Sequence, residues 1–240
     1  MADEKIKQLE DLYNSLASVR KNFETNWQDT AKYFRPIKTD VSSEKTAGDK
    51  KDLFIANDST MVISLENFAS ILNGTLTNKA TQWFELKVEN DDLKDDQNII
   101  EYLKNVGNVM WSVLYDNQGN FEDAHHENLK DFATFGTIAM KIEEGRSTLI
   151  NFQSIHIKNI FIGENDEGKV DQLILLMKMS ARNIVNKFPN GKIHESIKKA
   201  EEEKPNQTFD IRLYIQPRKD RNPNIDRKST RLNSSHLGIS

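Results

Sequence analysis

Two adjacent histidines, His125 and His126, lie in the stretch FEDAHHENLKD between Glu122 and Glu127. On a helix Glu122 and His126 are four residues apart and share a face, a spacing open to a two-ligand metal site. His125 and His126 themselves point about 100° apart on a helix and cannot chelate one ion together. The histidine spacing of zinc proteases is absent. The stretch therefore reads as a solvated helical face. The carboxylate runs ENDDLKDD and KKAEEEK could supply magnesium ligands for a nuclease. They fall in a loop and on a terminal helix, without an apolar frame to fix their geometry, and read as solvated surface. There is no glycine-rich phosphate loop, no serine elbow and no cysteine nucleophile. Catalytic, cofactor-binding and metal-binding residues are accordingly assigned to none.

The elements around these residues follow from hydrophobic period. Ile6, Leu9, Tyr13, Leu16, Val19, Phe23, Trp27, Ala31 and Phe34 recur every three or four residues, one stripe of a helix that Pro36 ends. From Lys5 to Phe34 it would be about 45 Å long, with room for a break near Thr25. A polar stretch, 37–57, reads as a flexible loop. Asp58 and Ser59 are N-cap candidates for a second helix carrying Met61, Leu65, Phe68, Ala69, Leu72 and Leu76. WFELKV alternates like a strand. Ile99 to Leu114 and Phe121 to Ala133 read as two more helices separated by a turn at DNQGN, the second closed by Gly136.

Beyond Gly136 the period becomes strand-like in TIAMKIEE, GRSTLINFQ, IHIKNIFIG and KVDQLILLMKM, with turns at EEGR and ENDEGK. SARNIVNKF and HESIKKAEEEK read as short helices. DIRLYIQPRKD reads as an edge strand with a polar exit, and no partner strand follows it. Phe68, Trp83, Phe84, Phe132 and Phe135 fall in register with apolar neighbours and are expected in the core. Helices first and then a mostly antiparallel meander with added helices predict an α+β fold.

The 240 residues carry a formal charge of −4 and no cysteine, which excludes disulfides and thiolate metal sites. No apolar run approaches the roughly 20 residues of a spanning helix, and no apolar signal region opens the chain, so the sequence reads as that of a soluble protein with no membrane partner. The last stretch, DRKSTRLNSSHLGIS, resembles in its first eleven residues the in-frame translation of a common sequencing adapter. Residues 226–240 are on that reading not native. Without them three cations and one acid disappear, and the charge becomes −6.

The order of short motifs is the most specific signal. Trp27 and the YFRP of Tyr33, Phe34 and Pro36 are followed by Asp58, Ser59 and Thr60. Next come FASILNGTLT with Phe68, Gly74, Leu76 and Thr77, then Trp83 and Phe84, then Asn120 and Phe121, then Phe135 and Gly136. GENDEGKVDQ, with Glu164, Asn165, Gly168, Val170 and Asp171, and KMSAR close the series. In this order they resemble the head-to-tail connector, or portal, family of short-tailed bacteriophages. The resemblance covers nearly all of Met1–Asp220.

It implies a homo-oligomeric, dodecameric ring at one capsid vertex of the virion, assembled in the host cytoplasm. Double-stranded DNA passes through such a ring without sequence specificity when packaged and ejected. Its partners are the terminase motor, the major capsid and scaffold proteins and the tail adaptors. No cofactor is implied, since the motor is a separate protein, and the subunit is not an enzyme. An acidic balance suits a conduit, because each phosphate contact would oppose sliding. The family's chain is about twice as long, so this part resembles the wing-like region, with channel-lining segments beyond Ile225. The expected organisation is a helical segment at 1–36, the loop at 37–57, the wing-like α+β region at 58–225 and the tail at 226–240. Two alternatives stand beside it: a metal-dependent nuclease using Glu122 and His126, and a helical adaptor whose N-terminal stripe binds a partner helix.

Overall fold

The computed structural model describes residues 2–41, 58–145, 148–189, 191, 193–217 and 236–239. Helix α1 runs from Ala2 to Phe34 without interruption. The break considered near Thr25 does not occur. Pro36 does end the helix and opens a 3₁₀ turn, Pro36–Lys38. In α2, Thr60–Leu76, Ser59 holds the N-cap position without a side-chain bond, and the Asp58 carboxylate before it accepts from the Thr60 N–H at 2.9 Å and its hydroxyl at 2.6 Å.

Helix α3, Gln97–Leu114, is capped by Asp96, which accepts from the Asn98 N–H. Helix α4, Phe121–Phe135, is bracketed by two left-handed residues, Asn120 at φ 61° and Gly136 at φ 71°. Gly136 lets its N–H reach the Phe132 carbonyl at 2.9 Å in a conformation a Cβ would oppose.

Among the described residues six antiparallel strands form two sheets, β1 (Met140–Glu144) with β2 (Ile150–Ser154), and β3 (Ile160–Glu164), β4 (Val170–Ser180), β5 (Thr208–Ile215) and β6 (His236–Ile239) in that order. Helices α5, Ala181–Lys187, and α6, Glu195–Glu203, are inserted between β4 and β5. The architecture is α+β, as the periodicities predict. Three local readings are corrected. WFELKV is extended but, among the described residues, joins no sheet. In IHIKNIFIG the first half is a 3₁₀ turn, Ile157–Asn159, and only the second half is strand. DIRLYIQPRKD is not an edge: β5 pairs with β4 from Thr208↔Ser180 to Ile215↔Leu173, and β6, drawn from the segment 226–240, pairs along its other side. Its main partner precedes it in sequence, across two helices.

The chain divides into two compact units, Met1–Phe23 with Asn159–Ser240, and Glu24–Lys158. In the first, the period of two in β4 and β5 sorts side chains onto opposite faces of the sheet. Ile174, Leu176 and Tyr214 join Phe161 against Leu9, Leu12, Tyr13 and Leu16 of α1. Met177, Met179, Phe209 and Ile211 pack against Ile184 of α5 and Ile197 of α6. Burial on both faces is why LILLMKM is nearly continuous in apolar residues. Arg20 of α1 donates to the Ile160 carbonyl at 2.8 Å and stacks on Phe161, and Arg212 stacks on Tyr13.

In the second unit Phe121 and Ala124 of α4 pack on Phe152 of β2, with Leu114, Tyr115, Met140 and Ile150 around them. Leu65 and Ala69 are the buried residues of α2. The expected aromatic core is corrected here. Phe135 is buried and Phe84 half-buried, but Phe68, Trp83 and Phe132 are 43%, 44% and 49% exposed. Helix α2 carries apolar residues on more than one face, Ile63 and Ile71 being exposed as well, so register with apolar neighbours does not select the buried side.

In the isolated chain Ile174→Ala is expected to cost about 2–5 kcal/mol in urea unfolding. Phe68→Ala and Glu122→Ala should each stay within about 1 kcal/mol. Equal losses at Ile174 and Phe68 would place the α2 face in the core.

Candidate functional site

The charged residues of the second unit gather on α4. The pivot is Arg35, the one residue of YFRP not singled out from sequence. Pro36 behind it disfavours helical backbone, and Arg35 leaves the helix at φ −135° while its N–H still closes the last turn on the Ala31 carbonyl at 2.8 Å. The side chain meets α4. Its guanidinium donates to Asp131, to the Glu127 carboxylate at 2.5 Å and to the Glu127 carbonyl at 3.4 Å. Lys38, one turn on, donates to both oxygens of Asp131 at 3.0 and 2.8 Å. The Asp131 side chain is 3% exposed, so three charge-assisted contacts hold a carboxylate almost out of water.

The network continues to α2. Lys130 bridges Glu127 at 2.7 Å and Glu66 at 3.3 Å, and Glu66 also meets His126 at 2.5 Å. Glu122 instead pairs with Lys79 at 2.7 Å. Glu122 and His126 thus go to different partners, and the two-ligand metal geometry is not formed. Nor is the face simply solvated, as the sequence suggested. His126 is mostly covered, and His125 stacks on Phe121 with ring centroids 5.3 Å apart. Among the described residues no group of three His, Asp or Glu is placed to hold a metal ion.

A second cluster sits beside the first. Lys158 donates to Asp40, and His156 Nε2 lies 3.8 Å from the same carboxylate. The Lys158 N–H donates to His156 Nδ1, which leaves the ring proton on Nε2. Burial, aided by the Lys38 charge, pushes His156 down to about 4. Burial alone would raise Glu127, but hydrogen bonds from Lys130 and Arg35 outweigh it and hold the carboxyl at about 2. Asp40 is likewise lowered on balance, burial opposing and Lys158 prevailing. His125 is pushed down by burial and by His126. Acids locked to cations and a neutral, covered histidine hold backbone segments together.

The motif residues are mostly parts of this scaffold. Trp27 Nε1 donates to the Phe135 carbonyl at 3.2 Å, tying α1 to the end of α4 just before Gly136. The Thr77 carbonyl accepts from the Tyr115 hydroxyl at 2.8 Å, and that hydroxyl accepts from Trp83 Nε1 at 2.9 Å. Trp83, Phe84, Trp111, Tyr115, Phe121 and Phe152 form one run of ring contacts, with successive centroids 4.4 to 6.4 Å apart. Asn120 donates to the Phe152 carbonyl at 3.4 Å. Tyr33, Phe68 and Leu76 are exposed, and Gly74 has open space around it. Glu164 to Asp171 belong to the other unit, as the β3–β4 hairpin. There Gly168 is left-handed at φ 72° and Asn165 Oδ1 accepts from the Glu167 and Lys169 N–H groups at 3.0 and 2.9 Å.

Sequence reading missed Arg35, Lys38, Asp40, Asp131 and Lys158. The legible signal was the i, i+4 pair Glu127 and Asp131 on a helix otherwise packed into the core, which demands cations from elsewhere.

Breaking the pair should be costly. Arg35→Met leaves Asp131 buried with Lys38 alone and is expected to cost about 3–5 kcal/mol, whereas Arg35→Met with Asp131→Leu should recover part of the loss. Double-mutant unfolding measures this, and additive losses would refute the coupling. Acid should also destabilise the unit. Unfolded, His156 binds a proton near its ordinary 6.5, folded only near 4, so between these values the unfolded state holds more protons and stability falls as pH falls. Glu127, with folded value near 2 against 4.5, contributes stability that is full above 4.5 and is lost as pH drops toward 2. His156→Phe should flatten the decline in melting temperature between pH 6.5 and 4.5. An unchanged slope would exclude His156 as its source.

Comparison with known proteins fits this scaffold. A model of the family described as bacteriophage head to tail connecting protein matches residues 6–235, and so reaches into the segment 226–240. The portal protein of Salmonella phage epsilon15 is 25% identical over 232 residues, which cover 96% of this chain and 40% of that protein. The chain therefore spans about two-fifths of that relative's length. With the family match extending over nearly all of its residues, the chain belongs to the bacteriophage head to tail connecting proteins.

Proposed function

We propose that this chain forms the wing-like part of a portal subunit, which assembles with further copies into a dodecameric ring at the capsid vertex. DNA is packaged and ejected through that ring without sequence specificity. The terminase motor, the major capsid and scaffold proteins and the tail adaptors are its partners, and assembly takes place in the host cytoplasm before the ring becomes part of the virion. The observation that carries the reading is the family match over residues 6–235, joined to a portal protein aligned along 96% of the chain.

The geometry supports a structural role. The acids Glu66, Asp40, Glu127 and Asp131 are all engaged by cations, and the aromatic residues of the motifs join helices to strands. On this reading Trp27, Tyr33, Phe34, Pro36, Asp58 to Thr60, Phe68, Gly74, Leu76, Thr77, Trp83, Phe84, Asn120, Phe121, Phe135, Gly136 and the hairpin residues Glu164, Asn165, Gly168, Val170 and Asp171 are framework and contact residues. Among the described residues no helix is long and apolar enough to cross a membrane.

Negative-stain electron microscopy of the full-length subunit is expected to show closed rings. Incubation with DNA or ATP in the presence of magnesium, manganese or zinc should give no turnover. A metal-dependent activity abolished by His126→Ala would overturn the structural reading in favour of a nuclease.

A further inference from the structure

Helix α2 carries a single charged residue, Glu66, and that one is engaged on α4 by His126 and Lys130. The rest of its outer surface is uncharged. Met61, Ser64, Phe68, Ile71 and Thr75, all exposed, recur every three or four residues and form a stripe apart from the buried Leu65 and Ala69. Met61, Ile63, Phe68 and Ile71 are 47%, 55%, 43% and 67% exposed. At roughly 200 Å² per large side chain, that leaves about 400 Å² of apolar surface in water on one helix. This is near the apolar share of the roughly 800 Å² that each partner buries in a specific interface.

A surface that packs on its own counterpart closes as a dimer, whereas a ring of identical copies repeats a contact between two different surfaces. In such a ring α2 has to meet another face, equally free of charge. Helix α3 offers one. Asn98, Tyr102, Asn105, Val109 and Ser112 are exposed and uncharged, spaced by three and four along the side opposite the buried Gly107 and the half-buried Leu103 and Leu114. Tyr102 and Val109 are 66% and 62% exposed. They flank the shorter Asn105, and together with Val106 they stand at i, i+3, i+4 and i+7, the four corners of a hole that takes one large side chain. Phe68, central in the α2 stripe, is such a side chain.

We propose that the α2 stripe of one copy packs on the α3 stripe of the next, Phe68 entering the hole over Asn105. Ser64, one turn from Phe68, gives the Asn105 amide a hydroxyl to bond, so the covered polar group keeps a partner. The contact is head-to-tail, and it closes into a ring when the rotation allows. The inference rests on the ring reading above and names the two surfaces that make the contact.

This chain has no cysteine to compete with introduced ones. Phe68 and Asn105 are the middle residues of the two stripes, and a centred pairing brings them together whichever way the helices run. In the full-length subunit, Phe68→Cys with Asn105→Cys is expected, under oxidation, to give a ladder of multimers on non-reducing gels. A mixture of the two single variants should give dimers, and the parent and each single variant alone should give none. Dimers from Phe68→Cys alone would show α2 packing on itself and overturn the pairing. As a second variant, Phe68→Glu should leave the melting temperature of the isolated subunit unchanged while abolishing assembly seen by light scattering, and adding Asn105→Lys should restore assembly in part. A lowered melting temperature for Phe68→Glu would mean that another part of the same chain covers α2, and would overturn the proposal. Rings in the microscope without the mixed cross-link, or with Phe68→Glu still assembling, would overturn the helix pairing and leave the portal reading intact. Mixed cross-links in a subunit that forms no ring would support the pairing and sink the ring. Neither rings nor cross-links would refute both.

Discussion

The second unit depends on one buried contact, Arg35 against Asp131. Removing a carboxylate from water costs several kcal/mol unless cations and hydrogen bonds replace the solvent. Here Arg35 and Lys38 replace it together, and both are delivered by the few residues that follow α1. The delivery is a backbone event. Pro36 stops the helix, Arg35 turns extended, and a 3₁₀ turn brings Lys38 round to the same acid. From Asp131 the contacts pass through Glu127 and Lys130 to Glu66 of α2. An ionic chain of this kind adds little net stability over apolar packing, but it fixes which helix faces meet. That specificity matters for α2, whose apolar residues occupy several faces and would otherwise leave its rotation undetermined.

The first unit solves its packing differently. Its sheet is covered on both sides, by the beginning of α1 and by α5 with α6, so β4 needs no polar face. The cations near this core, Arg20 and Arg212, lie over aromatic rings. Helix α1 supplies residues to both units, with Leu9, Tyr13 and Leu16 serving the sheet and Trp27 serving α4. One amphipathic stripe in sequence thus has two different environments in the structure.

This explains what could be read in advance. The long helix, its end at Pro36, the helices on either side of DNQGN and the glycine at 136 follow from local period and capping, and local rules sufficed. Pairing did not follow, because β5 finds β4 across two inserted helices and β1 with β2 form a separate sheet. Exposure of Phe68, Trp83 and Phe132 was also illegible, since an apolar residue in register is compatible with a core or with a contact between chains. In the ionic cluster the acids were visible on α4, but their partners lie about ninety residues earlier in sequence, and only the fold brings them together.

The network also changes what the acidic charge means. Each of Asp40, Glu66, Glu127 and Asp131 faces a cation, so these contacts nearly cancel and contribute little to the field outside. The net negative balance therefore resides in other carboxylates, including the exposed Asp92, Asp95 and Asp96 of the loop before α3 and Glu202 and Glu203 on α6. Those are placed where water and salt reach them, and their influence falls off within about 10 Å at ordinary ionic strength. The field outside the chain is thus a short-range property of particular loops and helix ends. The buried acids serve the fold.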